Sequence, residues 1–419
     1  MKIAYRAIAA AACLSLLAAC SGEGGDDRER VGTTADASRT AVEGRVGMAA
    51  TPTASPTPAG PPPLSPRWKN LGKVPLDEAS GLVDVVATGP RQAWALGYEN
   101  GAEEEIAHTT VVRWNGTKWS RMPINKYLGH NGFDATGPED LWVAGDDTVA
   151  HWDGRRWTAK RPFGISDDKH FRDVASDGDK AVLIGSDDTG SFIATSGRGG
   201  FELVPNGDEG MLEAVTFRSG HAWIVGAKPR SNCEGITPHI VHSRKLAGWD
   251  TMRVPHVPGG MLTSVVQISP TDVWAVGKII KTRPAEQLPD SSCPESVYYE
   301  AEEVESPVTP LAMHWDGRSW QQVGLPSMSA ELTSVTAFGP DDVWVAGKMP
   351  EHPVDLVFLH FDGKAWTEEH SYGGRVEAIA AIPGTKDVWA VGRPDEHTDK
   401  GPELILRRDG RGRPGRARS

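Results

Sequence analysis

The fifteen tryptophans of this chain fall on one repeating pattern, and that pattern leaves few folds open. Trp94, Trp142, Trp223, Trp274, Trp344 and Trp389 each lie in a short apolar run closed by glycine, as in Val273-Trp274-Ala275-Val276-Gly277. Trp68, Trp119, Trp157, Trp249, Trp320 and Trp366 open a later strand. Trp114, Trp152 and Trp315 precede the turn before it, in the form W-[DN]-G-x-x-W. A unit of this size cannot bury its apolar face alone, so copies must stack on one another.

Aligning the glycine that ends the apolar run gives seven units: Gly97, Gly145, Gly185, Gly226, Gly277, Gly347 and Gly392. Successive glycines are 40 to 51 residues apart, except for one interval of 70 that holds an insertion. Each unit reads as four short strands. In the sixth, residues 332–338 alternate, Gly339-Pro340-Asp341-Asp342 turns, residues 343–346 return, residues 356–361 form a third strand, and Asp362-Gly363 turns into a fourth that holds Trp366. The expected fold is all-β, a seven-bladed β-propeller of four-stranded antiparallel blades spanning 67–410. The third unit is the weakest, with Val182 in place of tryptophan and Phe201 at the later aromatic position. The last unit lacks its fourth strand. Trp68-Lys69-Asn70-Leu71-Gly72 matches Trp320-Gln321-Gln322-Val323-Gly324, so the N-terminal strand is expected to complete the last blade and remove an open edge.

Ahead of the propeller, Lys2 and Arg6 and the apolar residues 7–19 read as a signal peptide over 1–19, too short to span a bilayer comfortably. Leu17-Ala18-Ala19-Cys20 resembles the lipobox of bacterial lipoproteins. That resemblance implies diacylglyceryl transfer to the Cys20 thiol, cleavage before it and palmitate-type acyl chains in the membrane; two chains anchor stably. The segment 20–66, rich in Thr, Ala, Pro and Ser, has almost no large apolar residues. It is read as a disordered tether spanning roughly 35–40 Å as a random coil. The expected location is extracytoplasmic, at the cell membrane.

The hairpins Trp152-Asp153-Gly154-Arg155-Arg156-Trp157, Trp315-Asp316-Gly317-Arg318-Ser319-Trp320 and Phe361-Asp362-Gly363-Lys364-Ala365-Trp366 carry a second resemblance. The repeat is similar to the Asp-box propellers of sialidases and to tectonin-type propellers. It departs from the Asp box, which begins with Ser and places a residue between Asp and Gly. The resemblance implies the fold, not an activity. Asp153, Asp316 and Asp362 are expected to cap their own turns. His151, His314 and His360 precede the motif at equivalent positions in separate blades, so packing is expected rather than a metal. The regular tryptophans are expected between blades rather than as sugar platforms.

Function is less constrained. A net charge of −12 speaks against nucleic acid as the partner. The segments 98–108, 227–238, 278–310, 348–355 and 393–402 vary most, and in a propeller they share one face, which is the candidate binding surface. Its marked residues are Glu103, Glu104 and Glu105 in the first loop, and Tyr298, Tyr299, Glu302 and Glu303 in the insertion. That insertion reads as a solvated acidic loop, a docking loop or a calcium loop, without EF-hand spacing. Cys233 and Cys293, in loops of adjacent blades and an oxidising compartment, are expected to form a disulfide closing about sixty residues, worth roughly 4 kcal/mol in the chain-entropy model; two unpaired thiols are the alternative. The tail, taken as 407–418 with six arginines, reads as a contact for anionic lipid or wall polymer, or as a solubilising end, its last part 411–419 disordered.

No catalytic constellation, cofactor site or metal signature emerges. The leading expectation is a monomeric, membrane-anchored extracellular propeller that binds or scaffolds an envelope protein or a surface glycan. The alternative is a secreted polysaccharide hydrolase or lyase of sialidase-like architecture. A concave pocket with two carboxylates beside an arginine or an aromatic platform would favour the enzyme.

Overall fold

The computed structural model describes most of residues 65–410. Residues 1–64 and 411–419 lie outside the described residues, as do 101–106, 161–168, 206–209, 230–234, 281–307, 394–403 and a few shorter stretches. The described strands form seven four-stranded antiparallel sheets, the blades of a propeller. Blades 1 to 6 take residues 81–122, 132–160, 170–204, 211–251, 260–323 and 331–372 in chain order. Blade 7 takes three strands from 375–408 and its outermost strand, Trp68–Asn70, from the N-terminal end.

The N-terminal strand completes the last blade as expected: Trp68 pairs with Arg408, Lys69 with Arg407 and Asn70 with Leu406. This corrects the reading of 407–418 as one basic tail. Arg407 and Arg408 belong to the strand Leu404–Arg408. Arg407 Nη2 lies 2.7 Å from Asp387 Oδ2, and Arg408 is buried with its guanidinium 4.1 Å from the Trp344 ring centre. The Arg407 guanidinium is used inside blade 7 and that of Arg408 against blade 6.

The second strand of each blade is packed on both faces by neighbouring blades, so it reads as a continuous apolar run rather than an alternation. In Asp342–Met349 the five residues from Val343 to Gly347 are all buried. Its tryptophan enters the gap toward the next blade and meets the aromatic residue that opens that blade's fourth strand. Trp389 meets Trp119 at 5.1 Å between ring centres, Trp223 meets Trp320 at 5.5 Å, Trp142 meets Phe201 at 5.7 Å, Trp274 meets Trp366 at 5.8 Å and Trp344 meets Trp68 at 6.4 Å. Trp94 shares a core cluster with Trp157, and Val182 shares one with Trp249. The third blade is therefore a full blade with a smaller residue in the same slot, and its four strands pair in order.

The glycine that closes the apolar run of the second strand has one physical reason in all seven blades. A Cβ there would come within 1.8–2.6 Å of a backbone carbonyl oxygen: that of Gly81 for Gly97, Leu128 for Gly145, His170 for Gly185, Met211 for Gly226, Met261 for Gly277, Glu331 for Gly347 and Arg375 for Gly392. In six blades the first strand carries a β-bulge just beyond this point, for example between Leu82 and Asp84 and between Leu332 and Ser334. The bulge crowds the first strand against the second and re-aims the residue that follows it.

Expected and observed loops differ on the second-to-third-strand side. Strands Asp342–Met349 and His352–Phe361 pair as far as Met349 with His352, so most of 348–355 is hairpin rather than loop. Pairing likewise reaches Pro229 with Ile236, narrowing 227–238.

Candidate functional site

The face made of first-to-second and third-to-fourth strand turns is locked by repeated local bonds. Asp153 Oδ1 accepts the N–H groups of Arg155 and Arg156 at 2.9 Å, Asp316 Oδ1 those of Arg318 and Ser319 at 2.8 Å, and Asp362 Oδ1 those of Lys364 and Ala365 at 3.0 and 2.9 Å. These N–H groups hold all three carboxyls below the usual range. The expected turn capping is what the side chains do.

The three histidines serve a structural motif. His151, His314 and His360 stack on Trp142, Trp274 and Trp344 at 4.1, 4.5 and 4.1 Å between ring centres. Their Nε2 atoms bond Asp140, Asp272 and Asp342 at 2.7, 2.9 and 2.9 Å. Burial alone would raise Asp140 and Asp342, but the surrounding hydrogen bonds outweigh it and leave both carboxyls below the ordinary value. Blade 7 keeps the arrangement with Asp387, Trp389 and Arg407. Blade 4 replaces the acid with His221, whose Nδ1 lies 3.0 Å from His242 Nε2. Burial, with His221 beside it, pushes His242 down to about 4.

At the axis, the first strands of all seven blades enclose a channel cavity of about 250 Å³. Its polar residues join blade to blade. Asp173 Oδ1 accepts the N–H of Val174, and its Oδ2 accepts that of Val215 in blade 4, both at 2.8 Å. Ser264 Oγ accepts the N–H of Val335 in blade 6 at 3.2 Å, and Ser334 Oγ that of Ile379 in blade 7 at 3.1 Å. Asp84 accepts from its own neighbour Val85 at 2.7 Å and from Phe133 of blade 2. These four residues hold the same register position, directly after the bulge. Burial pushes Asp84 up to about 7 and Asp173 well above the ordinary carboxyl value. At the turn end of the channel Arg218 of blade 4 spans blade 3 to Asp134 of blade 2, with its two Nη atoms 2.7 and 3.0 Å from the two carboxylate oxygens. Asp134 Oδ2 also accepts the Ser176 N–H at 2.7 Å. The charge of Asp134 raises the Arg218 pKa despite burial.

The opposite face collects the connections between second and third strands and those between blades. Around the channel mouth it carries partly buried ion pairs. Glu331 lies between Lys278 and Lys348, with Nζ–Oε distances of 3.1 and 3.2 Å. Burial alone would raise Glu331, but the two ammonium groups outweigh it and hold the carboxyl below its usual value. Glu377 takes Arg393 through Nε and Nη2 at 3.0 and 2.8 Å, and Arg393 Nη1 also reaches the Tyr98 hydroxyl at 3.3 Å. Glu99, raised by burial, pairs with Arg121 at 2.9 Å. Tyr127 is 59 % exposed on the same face, with Lys126 Nζ 4.8 Å from its ring centre.

Glu103, Glu104, Glu105, Tyr298, Tyr299, Glu302 and Glu303 lie outside the described residues, as do Cys20, Cys233 and Cys293. Lys278, Lys348 and Arg393 open segments expected to form the binding face, whereas Glu331, Glu377, Arg375 and the channel acids were not singled out from sequence. The signal for the cations comes from reading the residue after each aligned glycine, namely Tyr98, Asp146, Ser186, Ala227, Lys278, Lys348 and Arg393.

No protein-family profile matches the chain, and no curated protein matches it. Solved structures do resemble it. YCF48 bound to D1 peptide superposes with a TM-score of 0.52 at 13 % identity, over 84 % of this chain and all of that one. A puromycin-hydrolyzing peptidase of Mycobacterium tuberculosis superposes with a TM-score of 0.52 at 12 % identity over 83 % of this chain, which spans about half (54 %) of the peptidase. At these identities the likeness is one of fold.

Proposed function

We propose that this chain is a membrane-anchored extracytoplasmic lipoprotein whose propeller binds or scaffolds a partner, an envelope protein or a surface glycan, through the loop-bearing face. The observation that carries this reading is the asymmetry of the two faces. One is built of short turns locked by the Asp caps and the Trp–His–Asp stacks. The other is where the strands flanking 101–106, 281–307 and 394–403 end, beside charged and aromatic residues, on a scaffold whose inner strands are bonded blade to blade. Variable segments on a rigid frame are where recognition resides. That a propeller of similar fold is bound to a peptide in YCF48 supports a protein partner.

The hydrolase or lyase alternative asks for two available carboxylates in a concave pocket. The channel is concave and holds Asp84, Asp134 and Asp173, but each is committed to backbone N–H groups or to Arg218. The binding reading is therefore preferred.

Two experiments test it. Cys20→Ala should release the protein into the medium; retention in the membrane fraction would sink the lipid anchor. In-cell cross-linking of the full-length protein with mass spectrometry should enrich one protein partner linked at the loop-bearing face. Absence of any enriched protein would turn the search to glycans.

A further inference from the structure

We infer that the channel mouth between blades 6 and 7 is a carboxylate-binding notch, formed by Lys348, Arg375 and Arg393, that takes an acidic group of a peptide partner. This rests on the reading of the propeller as a partner-binding module.

The starting point is a repeated step. The residue after the second-strand glycine reaches toward the next blade. Lys278 of blade 5 reaches Glu331 of blade 6 at 3.1 Å. Tyr98 of blade 1 packs on His130, just ahead of blade 2, with 5.1 Å between ring centres. Arg393 of blade 7 lies over Gly81 of blade 1, where an added Cβ would meet its Cγ at 2.6 Å. Lys348 of blade 6 is the exception. It turns back to Glu331 of its own blade, at 3.2 Å. The reason lies in blade 7. Glu331 is paired across its blade with Lys348, and the residue at the same register in blade 7 is Arg375, paired with Arg393. Where blade 6 offers an acid to the preceding lysine, blade 7 offers a cation.

The charges do not balance. Among the described residues, Lys278, Lys348, Arg375 and Arg393 are set against Glu331 and Glu377 alone, four positive groups against two negative, in a chain of net charge −12. Arg375 makes no ion pair among the described residues and stands directly opposite Arg393, an unfavourable placement for like charges unless an anion intervenes. The two lysine side chains are only 17 % and 25 % exposed, so they are partly desolvated already. Charge-assisted bonds are stronger in such a setting, and a guanidinium offers a carboxylate two parallel donors. Glu331 between two ammonium groups is the protein's own template for the complex: a ligand carboxylate between Lys348 and Arg375 would repeat it one blade further on. At the same position blades 2, 3 and 4 carry Asp146, Ser186 and Ala227, so the cationic arc is confined to blades 5 to 7.

The test uses full-length protein in non-ionic detergent and three fluorescent octapeptides followed by anisotropy. The first alternates Gly and Glu with an amidated C-terminus, the second alternates Gly and Gln with a free C-terminal carboxylate, and the third alternates Gly and Gln with an amide. At least one carboxylate-bearing peptide should bind and the uncharged one should not; which of the first two binds separates an acidic side chain from a chain terminus as the source. Arg375→Glu should weaken that binding at least tenfold while raising Tm by about 1–3 °C, because it supplies the missing internal acid. Lys69→Glu, on the outermost strand of blade 7, should leave binding unchanged. Equal binding by Arg375→Glu and the parent, equal binding of the uncharged peptide, or binding of none of the three overturns the notch. A cross-linked partner that persists on Arg375→Glu cells would remove the notch and keep the binding module, whereas no protein partner on unmodified cells removes the protein-partner reading on which the notch rests.

Discussion

Asp173 of blade 3 accepts the backbone N–H of Val215, in blade 4, at 2.8 Å. It joins two inner strands that share no sheet. The same carboxyl also takes the Val174 N–H, so both oxygens are engaged. Asp173→Ala should leave two inward-facing donors without an acceptor and destabilise the protein by about 1–3 kcal/mol. Asp173→Ser should recover most of the loss, since Ser264 and Ser334 make the equivalent bond in blades 5 and 6. Urea unfolding midpoints of the two variants decide this; equal loss in both would show that the inter-blade bond contributes little.

Asp84 gives the channel a pH dependence with a definite sign. Burial raises its folded-state value to about 7, against an unfolded value near 4. Between those values the native state holds the proton more tightly than the unfolded chain, so this group's contribution to stability is full below about 4 and declines as pH rises toward 7. Asp84→Asn keeps an acceptor oxygen for Val85 and removes the titration. The Tm difference, variant minus parent, should therefore grow from near zero at pH 4 to several degrees at pH 7 and then level off. A difference independent of pH would place the carboxyl in a more watery setting than the channel provides.

The glycines separate into two kinds that look alike in sequence. A Cβ on Gly226 would lie 1.9 Å from the Met211 carbonyl oxygen, whereas one on Gly137 meets nothing within 4 Å. Gly226→Ala should force the first and second strands of blade 4 apart and cost about 3 kcal/mol or more, at the upper end of what overpacking costs. Gly137→Ala should be within about 0.5 kcal/mol of the parent, as surface substitutions usually are. Thermal melts of both resolve it.

What the sequence made legible follows from which contacts repeat. Trp344 and Trp68 are far apart in the chain, yet each belongs to a periodic set, and the slot one fills is the slot the other opens onto. Blade count and closure were readable for that reason. Val182 weakened the pattern only because a small apolar residue can fill the slot beside Trp249. The channel acids escaped because a bulge shifts the register by one residue: Asp84 and Asp173 become inter-blade acceptors only once Val83 and Arg172 are known to be unpaired. The pairing of the cations of blades 5 to 7 escaped for another reason. Arg375 and Arg393 are opposed across a pair of strands, and Lys278 meets Glu331 of the next blade, so their meaning depends on pairing rather than on spacing.

Ring closure itself can be tested at Trp68. Its ring stacks on Phe358 with 4.2 Å between centres and meets the edge of Trp344 at 6.4 Å, and its Nε1 donates to Glu369 Oε2 at 3.0 Å. Arg408, directly paired with Trp68, is buried with Glu369 3.6 Å away. Removing the indole opens a cavity beside a buried guanidinium, so Trp68→Ala should cost about 3–5 kcal/mol, the range for large aromatic truncations. Lost closure has a second consequence that a cavity elsewhere lacks. Without a firmly held outer strand, Leu404–Arg408 becomes a free edge that can pair with another chain. Trp68→Ala should therefore form concentration-dependent oligomers in light scattering, whereas Trp366→Ala, which removes an aromatic ring from a blade closed by its own chain order, should destabilise without oligomerising. Oligomers in both variants, or in neither, would show that the N-terminal strand packs in the ring without being its fastening.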